Sequence, residues 1–284
     1  MRFRFDGVEF GDRLPLFVTG FDAGNTEYRS NDVERSQGDG LIAGRDFLGG
    51  RTWGLSLSTN MPDLPDALTL ESRLAAAWHN PAHRNKSLAL VPLSYELGGR
   101  WRRVYGRPSR YAGINGDIYS VQGAGQIECD FKVHDPRYFD DWEQVLRLPI
   151  VPASTGGLKA PLIAPLSTVR SGADRAGYVI NTGTAPTPLK VVFRGPVTDP
   201  YVRAAAGWEI ALKGTLRAGQ SVVVDAFAGT VMRGSSPVAG LLTRKTRLSS
   251  AVLPVGNSDL TFGGVDPTGT ALVELRWRNA YYSI

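Results

Sequence analysis

The sequence predicts a mainly β protein in two domains: an N-terminal β-sandwich-like domain with one α-helix over residues 1–143, and a C-terminal antiparallel β-sandwich over residues 144–284. Three observations lead there. Ile127, Cys129, Phe131 and Val133 alternate with Glu128, Asp130 and Lys132, the period-two signature of a half-buried strand. Asp135-Pro136 then stops that strand, because proline cannot donate to a sheet ladder and biases its predecessor toward extended backbone. The acidic and aromatic run behind it reads as the exit to a second domain. Beyond that exit, short apolar groups recur at roughly the 8–12-residue spacing of a sandwich, separated by proline and glycine turns.

The first domain reads in order as follows. Met1 to Phe10 alternates like a strand and lacks the continuous apolar region of a secretion signal, so the protein is expected to be made and kept in a cytoplasm. Leu14 to Phe21 and Tyr28 to Arg35 are extended candidates, and the glycine-punctuated stretch Ser36 to Arg51 predicts a turn or projecting loop. No GKS or GKT and no helix follows those glycines, which argues against a phosphate cradle. Trp53, Leu55 and Leu57 alternate as a strand. One helix follows: Asp66 is placed to cap it, Leu70, Leu74 and Trp78 recur on one face, and Asn80-Pro81 stops it. Ser87 to Leu93, Tyr95 to Leu97 and Arg100 to Pro108 are further strands. The last, with three arginines and a tryptophan, has the character of a sheet edge that either prevents unwanted pairing or meets an acidic partner. Ile118 to Gly125 turns back into Ile127 to Val133.

In the second half, turns at Pro149, Pro152, Gly156-Gly157, Pro161 and Pro165 precede seven strand candidates. These are Tyr178 to Asn181, Leu189 to Arg194, Trp208 to Leu212, Ser221 to Asp225, Thr230 to Arg233, Leu260 to Phe262 and Ala271 to Arg278. The last puts Ala271, Val273, Leu275 and Trp277 on one face and Leu272, Glu274, Arg276 and Arg278 on the other. No amphipathic helix stands out.

At 284 residues and 42% apolar composition, the chain suffices for two cores, and no run approaches the roughly 20 apolar residues of a membrane helix. Charge is uneven: residues 1–145 carry 17 Lys plus Arg against 20 Asp plus Glu, and the remainder 15 against 7. The basic residues of the second half are scattered singly except for Arg244-Lys245-Thr246-Arg247, and no stacking motif for nucleic acid accompanies them. A solvated or subunit-facing surface is therefore expected.

Enzymatic signals are missing. The lone Cys129 points inward and reads as a core hydrophobe. His79 and His83 are separated by Pro81, which breaks the helical geometry that two ligands of one metal need, and only His134 remains elsewhere. No Gly-x-Ser-x-Gly occurs, and Asp140-Asp141 reads as a solvated surface rather than a glycosidase pair. No catalytic, metal or cofactor residue is assigned. Trp101, Trp142 and Trp208 are candidates for sugar stacking, although buried packing is the commoner fate of a sandwich tryptophan.

The ordered features resemble the distal tail proteins of long-tailed, non-contractile bacteriophages. The residues that carry the resemblance begin with Gly38-Asp39-Gly40, Gly49-Gly50-Arg51 and strand Trp53 to Leu57. Helix Ala67 to Trp78, Arg103 to Pro108 and Phe131 to Tyr138 follow, and then Ile180 to Pro186 leading into Val191 to Pro196. The resemblance implies a ring-forming belt domain followed by a galectin-like sandwich. It also implies a structural, non-enzymatic virion protein at the tail tip, assembled in the host cytoplasm. Such a protein forms a homo-oligomer, expected to be a hexamer, that joins the tail tube protein to tail-tip proteins and to receptor-binding components, and genomic DNA passes through its central channel. Phe3, Phe5, Leu70, Leu74, Trp101, Arg102 and Arg103 are then the expected ring contacts, and Asp135, Pro136 and Tyr138 the domain junction. A carbohydrate-binding module for host wall glycans is the alternative, and a wall hydrolase a third reading that lacks its base and nucleophile.

Overall fold

A computed structural model describes residues 1–114, 123–155, 170–173, 175–266 and 268–284. The expected turns at Ile118 to Gly125, Gly156-Gly157, Pro161 and Pro165 fall wholly or largely outside these residues. The chain divides into two compact units: Met1–Asp141 together with Tyr282–Ile284, and Trp142–Tyr281.

In the first unit the opening alternation is a hairpin, β1 (Arg2–Phe5) and β2 (Val8–Gly11), and not one strand. Asp6 and Gly7 both take positive φ, 45° and 82°, the backbone that the tightest hairpin turn demands. After β3 (Leu16–Asp22), the chain leaves the sheet as an arm built from four two-residue strands, β4 (Tyr28–Arg29), β5 (Val33–Glu34), β6 (Leu41–Ile42) and β7 (Phe47–Leu48). It re-enters at β8 (Arg51–Thr59). The stretch Tyr28 to Arg35 is thus one limb of the arm and not a strand of the main sheet. Helix α1 (Leu64–Trp78) follows, then the single turn α2 (Pro81–Arg84) and strands β9 (Val91–Leu97), β10 (Arg100–Ala112), β11 (Gln126–Val133) and β12 (Tyr138–Asp140).

The main sheet runs β2-β1-β9-β10-β11-β8-β3, and β12 pairs with the early part of β10. All of these pairings are antiparallel. The arginine-rich strand is therefore central, not an edge: β10 is flanked by β9 on one side and by β11 and β12 on the other. Its Pro108 is accommodated where the register with β11 shifts, between Pro108 and Arg110. The sheet encloses an aromatic core. Phe3 of β1 packs on Phe21 of β3 at 5.4 Å between ring centroids, and Trp53 meets Phe21 at 5.1 Å and Tyr95 at 5.3 Å. Cys129 is buried in the same sheet, and burial, with Asp130 beside it, pushes its thiol up to about 12, so it is inert.

Helix α1 covers this core with Ala67, Leu74, Ala77 and Trp78. Trp78 sets its ring edge-on to Phe5 at 4.9 Å and donates its indole N–H to the Arg110 carbonyl at 3.0 Å. The cap is Asp63, three residues before the expected Asp66: its carboxylate accepts from the Asp66 amide at 3.0 Å. Pro65 sits in the first turn, where backbone N–H groups have no intrahelical acceptor, so its missing donor breaks no helix hydrogen bond.

The second unit is a two-layer antiparallel sandwich. One layer is ordered Gln144–Pro149, Leu272–Trp277, Lys190–Arg194, Ser221–Asp225, Thr230–Arg233, Ser236–Pro237. The other is Arg175–Asn181, Gly256–Val265, Val197–Ala204, Glu209–Ala211, with Thr215–Leu216 also on Val197–Ala204. Val191, Phe193, Val224 and Leu275 from the first interleave with Val202, Ile210, Leu260 and Phe262 from the second in one core. Gln144–Pro149 and Val197–Ala204 are strands that alternation alone does not mark, because each is interrupted by charged or proline residues. Leu272–Trp277 also departs from its expected two faces. Glu274, assigned to the polar side, is almost wholly buried, ringed by Arg147, Arg194 and Arg276.

Candidate assembly surface

The arm is the feature of the first unit that its core does not explain. Its base is tied by the Gly49 amide on the Glu27 carbonyl at 2.8 Å, and Gly24 donates to Asp22 Oδ1 at 2.9 Å. Tyr28 then faces Leu48, Arg29 faces Phe47, Val33 faces Ile42 and Glu34 faces Leu41. Between the two short ladders, side chains replace backbone pairing. Asn31 Nδ2 donates to the Arg45 carbonyl at 3.2 Å, and the Gly44 amide donates to Asp32 Oδ1 at 2.7 Å. That amide, with the Ser30 hydroxyl, holds the Asp32 carboxyl below its ordinary value. Gly44 is required there, since a Cβ would sit 2.1 Å from the Asn31 carbonyl oxygen. At the tip, Gly38 and Gly40 take positive φ, and Arg35 donates to the Gly40 carbonyl at 3.3 Å.

This framework displays apolar side chains and buries none of them. Tyr28 is 72% exposed, Val33 62%, Leu41 56% and Ile42 57%. Arg29 and Arg45 each place a guanidinium carbon 5.3 Å from the Phe47 ring centroid, while the aliphatic pair Val33 and Ile42 stays exposed. An isolated two-stranded ribbon is marginal in water, and bare apolar side chains grouped in this way have the character of a contact surface.

The residues assigned from sequence as ring contacts divide into two groups. Phe3, Phe5 and Leu74 are completely buried in their own unit, where they make its core and present no surface. Leu70 is half-buried on the helix. Trp101 is half-buried with Arg4 stacked on it at 4.8 Å and Arg2 at 5.7 Å. Arg102 is half-buried and donates to the Ser283 carbonyl at 2.9 Å. Arg103 is a structural residue: its Nε donates to Asp141 Oδ1 at 2.8 Å, and Ser94 donates to the same oxygen at 2.6 Å. Reversing its charge would therefore disturb the unit itself. Of the junction residues, Asp135 pairs with Arg137, the Pro136 carbonyl accepts from Arg51 Nη1 at 3.1 Å, and Tyr138 is buried with the Arg51 guanidinium 4.3 Å over its ring. The sequence marks the first limb, Tyr28 to Arg35, as extended but the second, Ser36 to Arg51, only as a turn or projecting loop, because its apolar residues come in pairs rather than in alternation.

Among the described residues, no cluster of His, Cys, Asp or Glu is arranged to hold a metal ion. His83 instead bonds Asp6 at 3.1 Å, and Asn80 first, then His83, holds that carboxyl below its ordinary value. Trp208 is buried with its indole N–H on the Val252 carbonyl at 2.9 Å. Trp142 is exposed.

No family model matches the sequence, and no curated protein matches it. Solved structures do. The SPP1 Dit protein, described as a paradigm of the hub adsorption apparatus in phages infecting Gram-positive hosts, superposes with a TM-score of 0.59 at 14% identity, covering 98% of this chain and 98% of that one. The chain has a phage tail-hub fold. Two structures of the phage P2 baseplate in its activated conformation, with Ca and with Sr, each match with a TM-score of 0.57 at 11% identity over 97% of both chains. Because the match runs end to end, the hub fold accounts for both units and not for the sandwich alone.

Proposed function

We propose that this protein is a distal tail hub, a structural virion component whose subunits form a ring joining the tail tube to the tail tip. The observation that carries this is the end-to-end match to hub and baseplate chains, at 97–98% coverage in both directions. The arm supports it: a bare apolar ribbon on a folded domain suits contact with a neighbouring copy, and a closed ring covers such edges. The ring is six-fold in this reading and its opening passes DNA. Tail tube and tip proteins meet its two faces, and no chemistry is catalysed. Its place is the virion tail tip, after assembly in the host cytoplasm.

The test is light scattering of the purified protein across concentrations, followed by negative-stain class averages. Rings with a central opening are expected. A monomer that persists at every concentration, and also when tail tube protein is added, would overturn the reading.

A further inference from the structure

The basic run Arg244-Lys245-Thr246-Arg247 is placed by the fold beside an open cavity of about 430 Å³ in the second unit. One wall is the turn between strands Val197–Ala204 and Glu209–Ala211, closed by the Gly207 amide on the Ala204 carbonyl at 2.9 Å. Gly207 takes φ +94°, and a Cβ there would meet nothing within 4 Å, so the turn is open at this point. Trp208 lies behind it, its indole fixed on the Val252 carbonyl. The other wall is the basic run itself. Its third residue is anchored: Thr246 Oγ1 accepts from the Ala211 amide at 2.9 Å and bonds Thr243 Oγ1 at 3.2 Å. Anchoring Thr246 sends its two neighbours, Lys245 and Arg247, to the cavity rim.

The charges lining the cavity are unbalanced. Arg203 is clamped on Glu209 by two hydrogen bonds of 3.0 and 2.9 Å. Lys245 and Arg247 are exposed, and among the described residues neither has a carboxylate within ion-pair distance. Three cations against one carboxylate leave an excess of two positive charges. A carboxylate ligand would offset only one. A phosphate group carries about −1.5 to −2 at neutral pH, with three acceptor oxygens suited to a guanidinium fork and an ammonium. The cavity also falls in the range of roughly 300–1,000 Å³ typical of small-molecule sites, with room for a body behind the phosphate.

We propose that this cavity binds a dianionic phosphate group, as inorganic phosphate or as the phosphomonoester of a small molecule, with Lys245 and Arg247 as its principal ligands. The inference is independent of ring formation.

Calorimetric titration of the full chain with inorganic phosphate, glycerol 3-phosphate and glucose 6-phosphate, with glucose and gluconate as controls, tests it. Phosphate compounds should bind and glucose should not, with gluconate far weaker, and affinity should fall as salt is raised. Tighter binding of glucose 6-phosphate than of inorganic phosphate identifies an organic phosphomonoester as the occupant; equal binding identifies the bare anion. Lys245→Gln with Arg247→Gln should weaken binding at least about tenfold, or ~1.4 kcal/mol. The charge-preserving Lys245→Arg with Arg247→Lys should keep most of it. Lys213→Gln with Arg217→Gln lowers net charge equally outside the cavity and should change little. Absence of binding by every phosphate compound, or equal loss in both glutamine pairs, would overturn the proposal. Near-ultraviolet circular dichroism establishes that each variant is folded.

Discussion

Glu274 shows what a single side chain contributes in this protein. It sits in the middle of a sheet, almost wholly buried, within 3.3 Å of guanidinium nitrogens from Arg147, Arg194 and Arg276. Its carboxyl is held below the ordinary 4.5, first by the hydrogen bond from Arg276 and then by the charges of the arginines, which together exceed the cost of desolvation. A carboxyl whose pKa is lowered by folding adds stability above its unfolded pKa and loses it as pH falls through the folded one. Urea midpoints should therefore decline as pH drops below about 4.5. Glu274→Gln should flatten part of that decline and cost about 1–2 kcal/mol at neutral pH, the low side for a charged hydrogen-bond network because Arg147 and Arg194 remain well hydrated. An unchanged acid slope in the variant would show that other carboxyls carry it. Sequence could not reveal this burial. A glutamate on the polar face of an alternating strand looks solvated, and only the neighbouring strands bring Arg147 and Arg194 beside it.

At the level of elements, what was legible follows from local physics. Strand Gln126–Val133, strands Ser221–Asp225 and Thr230–Arg233, and the body of the helix all carry their own periodicity. Hairpins carry it less plainly: Asp6-Gly7 and Gly98-Gly99 are turn signals between strands, yet the first was absorbed into one long alternation. The position of Arg100–Ala112 was illegible, since three arginines mark an edge only when strand order is known. The arm was half legible, as its glycines announce a projection while its apolar pairs do not announce a ribbon. Because those side chains are more than half exposed and lie outside the core of the unit, Val33→Ser, Leu41→Ser and Ile42→Ser together should leave the monomer within about 0.5 kcal/mol of its original stability. The same triple variant should raise the concentration needed for the proposed assembly by at least about tenfold, or ~1.4 kcal/mol. Thermal melts and light scattering check the two halves of that expectation. A large loss of monomer stability would mean that the arm belongs to the core after all.

For the molecule as a whole, each unit has the parts of an independent domain. The sandwich core, from Leu148 to Trp277, draws only on residues of its own unit. A fragment spanning Trp142–Tyr281 should accordingly unfold in one cooperative transition and keep a β-type far-ultraviolet spectrum. A flat near-ultraviolet spectrum from that fragment would contradict this. The break at Asp135-Pro136 lies a few residues before the division between Asp141 and Trp142. What was not visible is that the chain's last residues rejoin the first unit, where Ser283 accepts from Arg102, because no local pattern encodes so distant a return.

The bare arm has one further consequence. Apolar residues in the core answer to folding, whereas those on the arm answer only to whatever covers them, so the two sets are free to drift on separate schedules. An arm residue can be exchanged without disturbing the packed core of the unit that presents it. The same architecture is met end to end in a tail-hub structure at 14% identity, so the fold itself asks for few particular residues.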